Sequence, residues 1–115
     1  MSIDTFLFGY TFSDVTYTGI TGRDFSVTKS NVKLSNWARP LYNGATGTMQ
    51  IQLHRNHWYG DDHLTVVNYP FAPGKAFGTY TWSGVGSGDY HFTYKVGPNE
   101  TTNQTISGEG NVYEN

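Results

Sequence analysis

Tyr90-His91-Phe92-Thr93-Tyr94-Lys95-Val96 carries a large apolar side chain at every second position and a polar one between each pair. A period of two sustained over seven residues belongs to a half-buried β-strand, because a helix would spread the same rings around its axis. Working outward, Gly84-Val85-Gly86-Ser87-Gly88-Asp89 holds three glycines and reads as a turn. Tyr80 and Trp82 precede it on a strand of their own. The segment therefore predicts a hairpin, with Tyr80 and Trp82 facing Tyr90 and Phe92 as cross-strand aromatic pairs. On the other side Gly97-Pro98-Asn99-Glu100 turns the chain. A last strand from about Thr105 to Tyr113 carries Gly108 and Gly110, which are expected to be bulges or points of close backbone approach.

The same alternation recurs twice. Met49, Ile51 and Leu53 alternate with Gln50, Gln52 and His54, and Phe6, Phe8, Tyr10 and Phe12 are expected to share one face. Thr21-Gly22-Arg23-Asp24 reads as a turn, Phe25 and Val27 as a short strand, and Val32 with Leu34 as a resumption of it. Residues 35–47 show no period and predict a long connection between sheets, pinned to the core by Trp37 or Leu41. Residues 56–62 form a hairpin tip, from which Leu64–Tyr69 returns. Pro70 and Pro73 are expected to break that strand, since proline supplies no ladder donor. Turn signals every 8–12 residues or so, with no helical period, predict one all-β domain. The expected architecture is an antiparallel two-sheet β-sandwich, Ig-like or jelly-roll-like, of seven or eight strands over residues 1–115.

Composition agrees. A chain of 115 residues has the size of one domain. It contains no cysteine, which excludes disulfides and thiolate metal sites. Only 37% of residues are apolar, yet 17% are aromatic, so the core must be built from rings that each bury roughly 150–250 Å². Charged residues make up 14%, which leaves Thr, Ser, Asn and Tyr to cover the surface, a habit of secreted or cell-surface domains. A net charge of −2 with no basic run argues against nucleic acid. No apolar run is long enough for a transmembrane segment. Met1–Thr5 lacks the basic and apolar regions of a signal peptide, so an exported form is expected to carry its leader ahead of this chain.

Gly78–Lys95, with its Tyr-x-Trp-x-Gly-turn-Gly-x-Tyr-x-Phe layout, resembles a hairpin of extracellular β-sandwich modules, including small secreted proteins of Gram-positive bacteria. Ile106–Tyr113 is similar to their closing strand and Met49–Leu53 to a middle one. The resemblance implies the sandwich fold and an extracellular bacterial setting. It brings no catalytic residues with it.

Candidate chemistry gathers at the 56–63 tip. Trp58 and Tyr59 stand beside His57, Asp61 and Asp62, and rings next to hydrogen-bonding groups suit stacking on sugars or docking to a protein. The plain alternative for Trp58 is that it folds back onto the sheet edge. His54 and His63 can face each other across the hairpin as zinc ligands. However, His54-x-x-His57 spans a strand end and specifies little, and Gly60-Asp61-Asp62 lacks the oxygens of a calcium loop. A solvated polar loop is the preferred reading, and no metal or other cofactor is assigned. Trp37, Arg39 and Tyr42 form a second patch better explained by packing, and Trp82 belongs to the core.

There is no Gly-x-Ser-x-Gly elbow or phosphate loop, and the nine acids fall mostly in turns of a domain too thin for a deep cleft. A Ser–His–Asp set could assemble only in space from distant residues, so no catalytic residue is assigned and the chain does not read as an enzyme. Asn99-Glu100-Thr101 and Asn103-Gln104-Thr105 match the glycosylation pattern, which matters only in a eukaryotic secretory pathway. The leading functional expectation is a secreted or cell-surface binding module for a glycan or protein partner. Two alternatives are a small toxin or bacteriocin-like effector acting at membranes, and a structural protein that self-associates through edge strands.

Overall fold

A strand buried on one side gives every second side chain to the core, and that rule organises the molecule. The computed structural model describes residues 4–16, 18–40, 47–71, 78–97 and 105–115. Within them lie nine strands and no helix: β1 (Thr5–Val15), β2 (Ile20–Thr21), β3 (Phe25–Val27), β4 (Val32–Pro40), β5 (Gly47–Arg55), β6 (Asp62–Phe71), β7 (Gly78–Trp82), β8 (Gly88–Gly97) and β9 (Ile106–Glu114). One sheet runs β1-β9-β4-β7. The other runs β2-β8-β5-β6, with β3 also pairing β8. All pairings are antiparallel, and the two sheets pack face to face as the expected sandwich.

The ninth strand arises from an interruption. Ile20 pairs with Tyr94 and Phe25 with Tyr90, so β2 and β3 run the same way along one edge of β8. Between them the Gly22 N–H donates to the Phe92 carbonyl at 2.7 Å. Residues 21–24 are thus a break in an edge strand and not the reversal that their composition suggested.

Phe92 stands at the middle of the core. Its ring lies 5.3 Å from Phe25, 5.5 Å from Trp82 and 6.1 Å from Tyr94. Tyr90, Tyr94 and Val96 of β8 are buried with it, as are Met49, Ile51 and Leu53 of β5. From the other sheet come Phe8, Phe12 and Val15 of β1, Val32, Leu34 and Ala38 of β4, and Ile106 and Val112 of β9. Tyr10 sits opposite Gly110 and Phe12 opposite Gly108. A methyl group on Gly110 would collide with the Tyr10 phenol, and one on Gly108 would meet the Trp37 carbonyl and lie 2.8 Å from the Phe12 ring. Both glycines are close-approach points.

Four expectations are corrected by this packing. First, β7 pairs with β4 and not with β8, so residues 78–95 cross between sheets instead of forming a hairpin. Trp82 meets Phe92 through the core, and its indole N–H donates to the Thr65 carbonyl at 2.9 Å. Second, β4 continues to Pro40 where a loop was expected. Its inward series is Val32, Leu34, Asn36 and Ala38, and the polar Asn36 hid the period. Asn36 is satisfied in place, accepting from the Tyr10 hydroxyl and donating to the Met49 sulfur at 3.1 Å. Trp37 is half-buried on the opposite face of the strand; Leu41 and Tyr42 lie outside the described residues.

Third, a register shift between Phe6 and Phe8 turns Phe6 outward, where its ring rests 5.7 Å from Tyr113. Fourth, β6 runs through Pro70 to Phe71. It is an edge strand, where proline is tolerated. Pro73 and both Asn-x-Thr asparagines lie outside the described residues. Burial pushes the Tyr10 and Tyr94 phenols well above their ordinary range, which keeps both rings neutral between the sheets.

The glycine contacts make a direct test. Gly108→Ala forces a methyl against backbone and is expected to cost ~1–3 kcal/mol, as overpacking does. Urea denaturation of the variant and the parent measures it, and an unchanged midpoint would mean that this layer has slack.

Candidate functional site

Because Met49, Ile51 and Leu53 face inward, Gln50, Gln52 and His54 of β5 lie on the outer face of their sheet. By the same alternation His91, Thr93 and Lys95 of β8 share that face. His54 pairs with His91 on one side and, beyond a register shift at Gln52, with His63 of β6 on the other. Three imidazoles therefore stand in a row across three strands. The His54 and His91 rings are parallel at 4.8 Å, and His63 meets His54 edge-on at 4.6 Å.

An outer face is normally wet, yet His54 and His91 are buried. The cover is the β5–β6 tip, together with the break between β2 and β3. The Asn56 N–H donates to the Asp89 carbonyl at 2.8 Å, which draws the start of the tip over β8. The Asn56 amide donates to Asp24 Oδ1 at 2.9 Å. A carboxylate only accepts, so the amide NH₂ must point to Asp24 and the amide oxygen to His91. His91 Nδ1 then carries the proton and donates to Asn56 Oδ1 at 2.5 Å. In the neutral ring this leaves a lone pair on Nε2, 3.6 Å from Asp61 Oδ2. His54 Nε2 bonds the Thr93 hydroxyl at 2.9 Å, while its Nδ1 is buried with no partner among the described residues. Burial, with the neighbouring His91 and His63, holds the His54 imidazole below its ordinary pKa; Asp61 only partly opposes this.

The far end of the tip is exposed. Trp58 is 95% exposed and does not fold back onto the edge. Tyr59, also exposed, stands at right angles to it with ring centres 5.5 Å apart. His57 stacks on Tyr59 with ring centres 4.8 Å apart and is held by Asp62 Oδ2 at 2.8 Å. Of the expected site residues, His57, Trp58, Tyr59 and Asp62 thus form one exposed aromatic ledge. Asp61 turns the other way, toward His91. His54 and His63 face each other as the hairpin reading allowed. His91, Asn56, Thr93 and Asp24 were missed, because nothing local in the sequence says that β8 lies beside β5.

No known protein-family model matches the chain, and no curated protein gives a significant match to it.

The lowered His54 pKa sets a direction for stability. Unfolded, the ring titrates near its ordinary 6.5; folded, it resists protonation. Between those two values the unfolded state binds more protons, so acid favours unfolding. The contribution is complete above 6.5 and is lost as pH falls through the folded value. Urea midpoints in a chelator-containing buffer are expected to rise between about pH 5 and 7. His54→Gln should flatten that rise, and an equally steep rise in the variant would assign it elsewhere.

Proposed function

We infer that this domain is a secreted binding module whose β5–β6 tip takes carbohydrate. The observation that carries the reading is Trp58, a full indole 95% exposed at the end of a braced turn. Such a ring contributes nothing to the core, and exposing it has a solvation cost that a ligand can recover. A sugar ring offers C–H groups to an indole face and hydroxyls to neighbouring polar atoms. Tyr59, His57 and Asp62 supply a second ring and hydrogen-bonding groups beside Trp58.

The neighbouring sheet face supports an extended ligand. A shallow cavity of about 210 Å³ is lined by Thr21, Gln50, Gln52, Thr93 and Lys95, among others. The Gln52–Thr93 pair lies next to the His54–His91 row. Amides and hydroxyls on a wide, open surface are the groups that recognise hydroxylated ligands. The weakly charged composition, rich in Thr, Tyr and Asn, supports an extracellular setting. Asp61 and Asp62 beside the rings disfavour burial of the tip in a membrane interface, which weighs against the toxin reading.

Trp58→Ala and Tyr59→Ala are expected to leave stability within about 0.5 kcal/mol, as surface changes do. Both should abolish binding on a glycan array. Equal array signals from variants and parent would sink the reading. Binding to a purified protein in place of any glycan would redirect it to a protein partner, and dye leakage from liposomes would redirect it to membranes.

A further inference from the structure

We propose that His54, His91 and Asp61 bind a divalent transition-metal ion of the zinc class, clamping the β5–β6 tip to the outer face of its sheet. The three residues come from β5, β8 and the tip, and one ligand-capable atom of each lies within 4.8 Å of the others. Around a zinc ion, with bonds of roughly 2.0–2.2 Å, tetrahedral donors sit on the order of 3.3–3.5 Å apart. His91 Nε2 and Asp61 Oδ2, at 3.6 Å, already meet that spacing. That separation is too long for a hydrogen bond between them, which leaves the Nε2 lone pair open toward the carboxylate. Asp61 is loop-borne, and its side chain is 38% exposed, so it can follow an ion, while the parallel His54 and His91 rings turn about their side-chain bonds to aim both lone pairs at it.

The surroundings prepare the donors. Ligating imidazoles usually donate their second N–H to an outer partner, which fixes the ring and the lone pair. His91 does this through Nδ1 to Asn56, itself oriented by Asp24. His54 has Nε2 on Thr93, which leaves Nδ1 as a buried nitrogen with no partner. An ion bound at Nδ1 would satisfy that atom. Two nitrogens and one carboxylate select zinc-like ions over calcium or magnesium, which prefer all-oxygen shells. Three protein ligands leave a fourth position for water or an incoming group. His63 stands next in the row, but its nitrogens are not part of the close set.

Binding here is independent of the carbohydrate reading, and the two can fail separately. The test is titration of zinc chloride into the full chain, freed of any affinity tag and treated with chelator, followed calorimetrically. One ion per chain is expected, and Co²⁺ should give the visible absorption of a four- or five-coordinate site. Asp61→Asn alters only an exposed side chain, so it should keep the apo melting temperature while weakening zinc at least about tenfold. Asn56→Ala removes an outer partner and should weaken it about 10–100-fold. His63→Ala should stay within about threefold of the parent. No zinc heat, or the same affinity in Asp61→Asn as in the parent, would overturn the site and leave a polar cluster in which His91 merely neighbours two carboxylates.

Discussion

The sandwich depends on a steric constraint at the middle of β9. Tyr10 and Phe12 of β1 can lie between the sheets because the neighbouring strand has no side chain opposite them: β9 presents Gly110 to Tyr10 and Gly108 to Phe12. With those rings admitted, Tyr10 reaches Tyr94 at 5.1 Å and Phe12 stacks on the same ring at 5.9 Å. These contacts join the first sheet to the second. The glycines give up backbone entropy and the chain recovers it as aromatic area, which a protein poor in Leu and Ile has few other ways to bury.

That constraint carries outward to the site. Once Tyr90, Phe92 and Tyr94 must face the rings of β1 and β3, the two-residue period sends His91, Thr93 and Lys95 to the other face. Met49, Ile51 and Leu53 fix β5 in the same way and leave His54 beside His91. The histidine row is therefore set by the core alternation, through two strands whose inner faces allow no other register. A slip of one residue would exchange the two faces entirely. The loops add the cover: Asn56 and Asp61 from the tip, and Asp24 from the broken edge.

Much of the fold was legible in the sequence because period two is a local signal. Tyr90–Val96 and Met49–Leu53 needed no partner to be read. What failed was either a local exception or a long-range fact. Asn36 is polar at an inward position and made residues 35–40 look aperiodic; only the Tyr10 hydroxyl and the Met49 sulfur, distant in the chain, explain it. A register shift reversed Phe6. The pairing of β7 with β4 defeated the hairpin reading of residues 78–95, since two aromatic strands joined by a glycine-rich link look alike whether they share a sheet or face each other across one. The candidate site divided along the same line. Its tip, with Trp58, Tyr59 and His57, is contiguous and was visible, whereas His91 joins it only through the strand order of the second sheet.

In the sequence, most candidate chemistry gathered on the tip between β5 and β6, apart from the alternating runs that build the core. The structure qualifies that division. Only one face of each sheet answers to the core, and residues on the other face can vary as long as they tolerate β geometry. On such a face, position is inherited from the rigid inner layer, so side chains two strands apart are held more firmly than any two on a free loop. His54 and His91 have that placement, and Asp61 sits on the exposed tip. A site made of two sheet-borne donors and one loop-borne donor can capture an ion by side-chain rotation, without a preformed cage. Its closure bears directly on the turn that displays Trp58, because Asp61 and Trp58 belong to the same short link between β5 and β6.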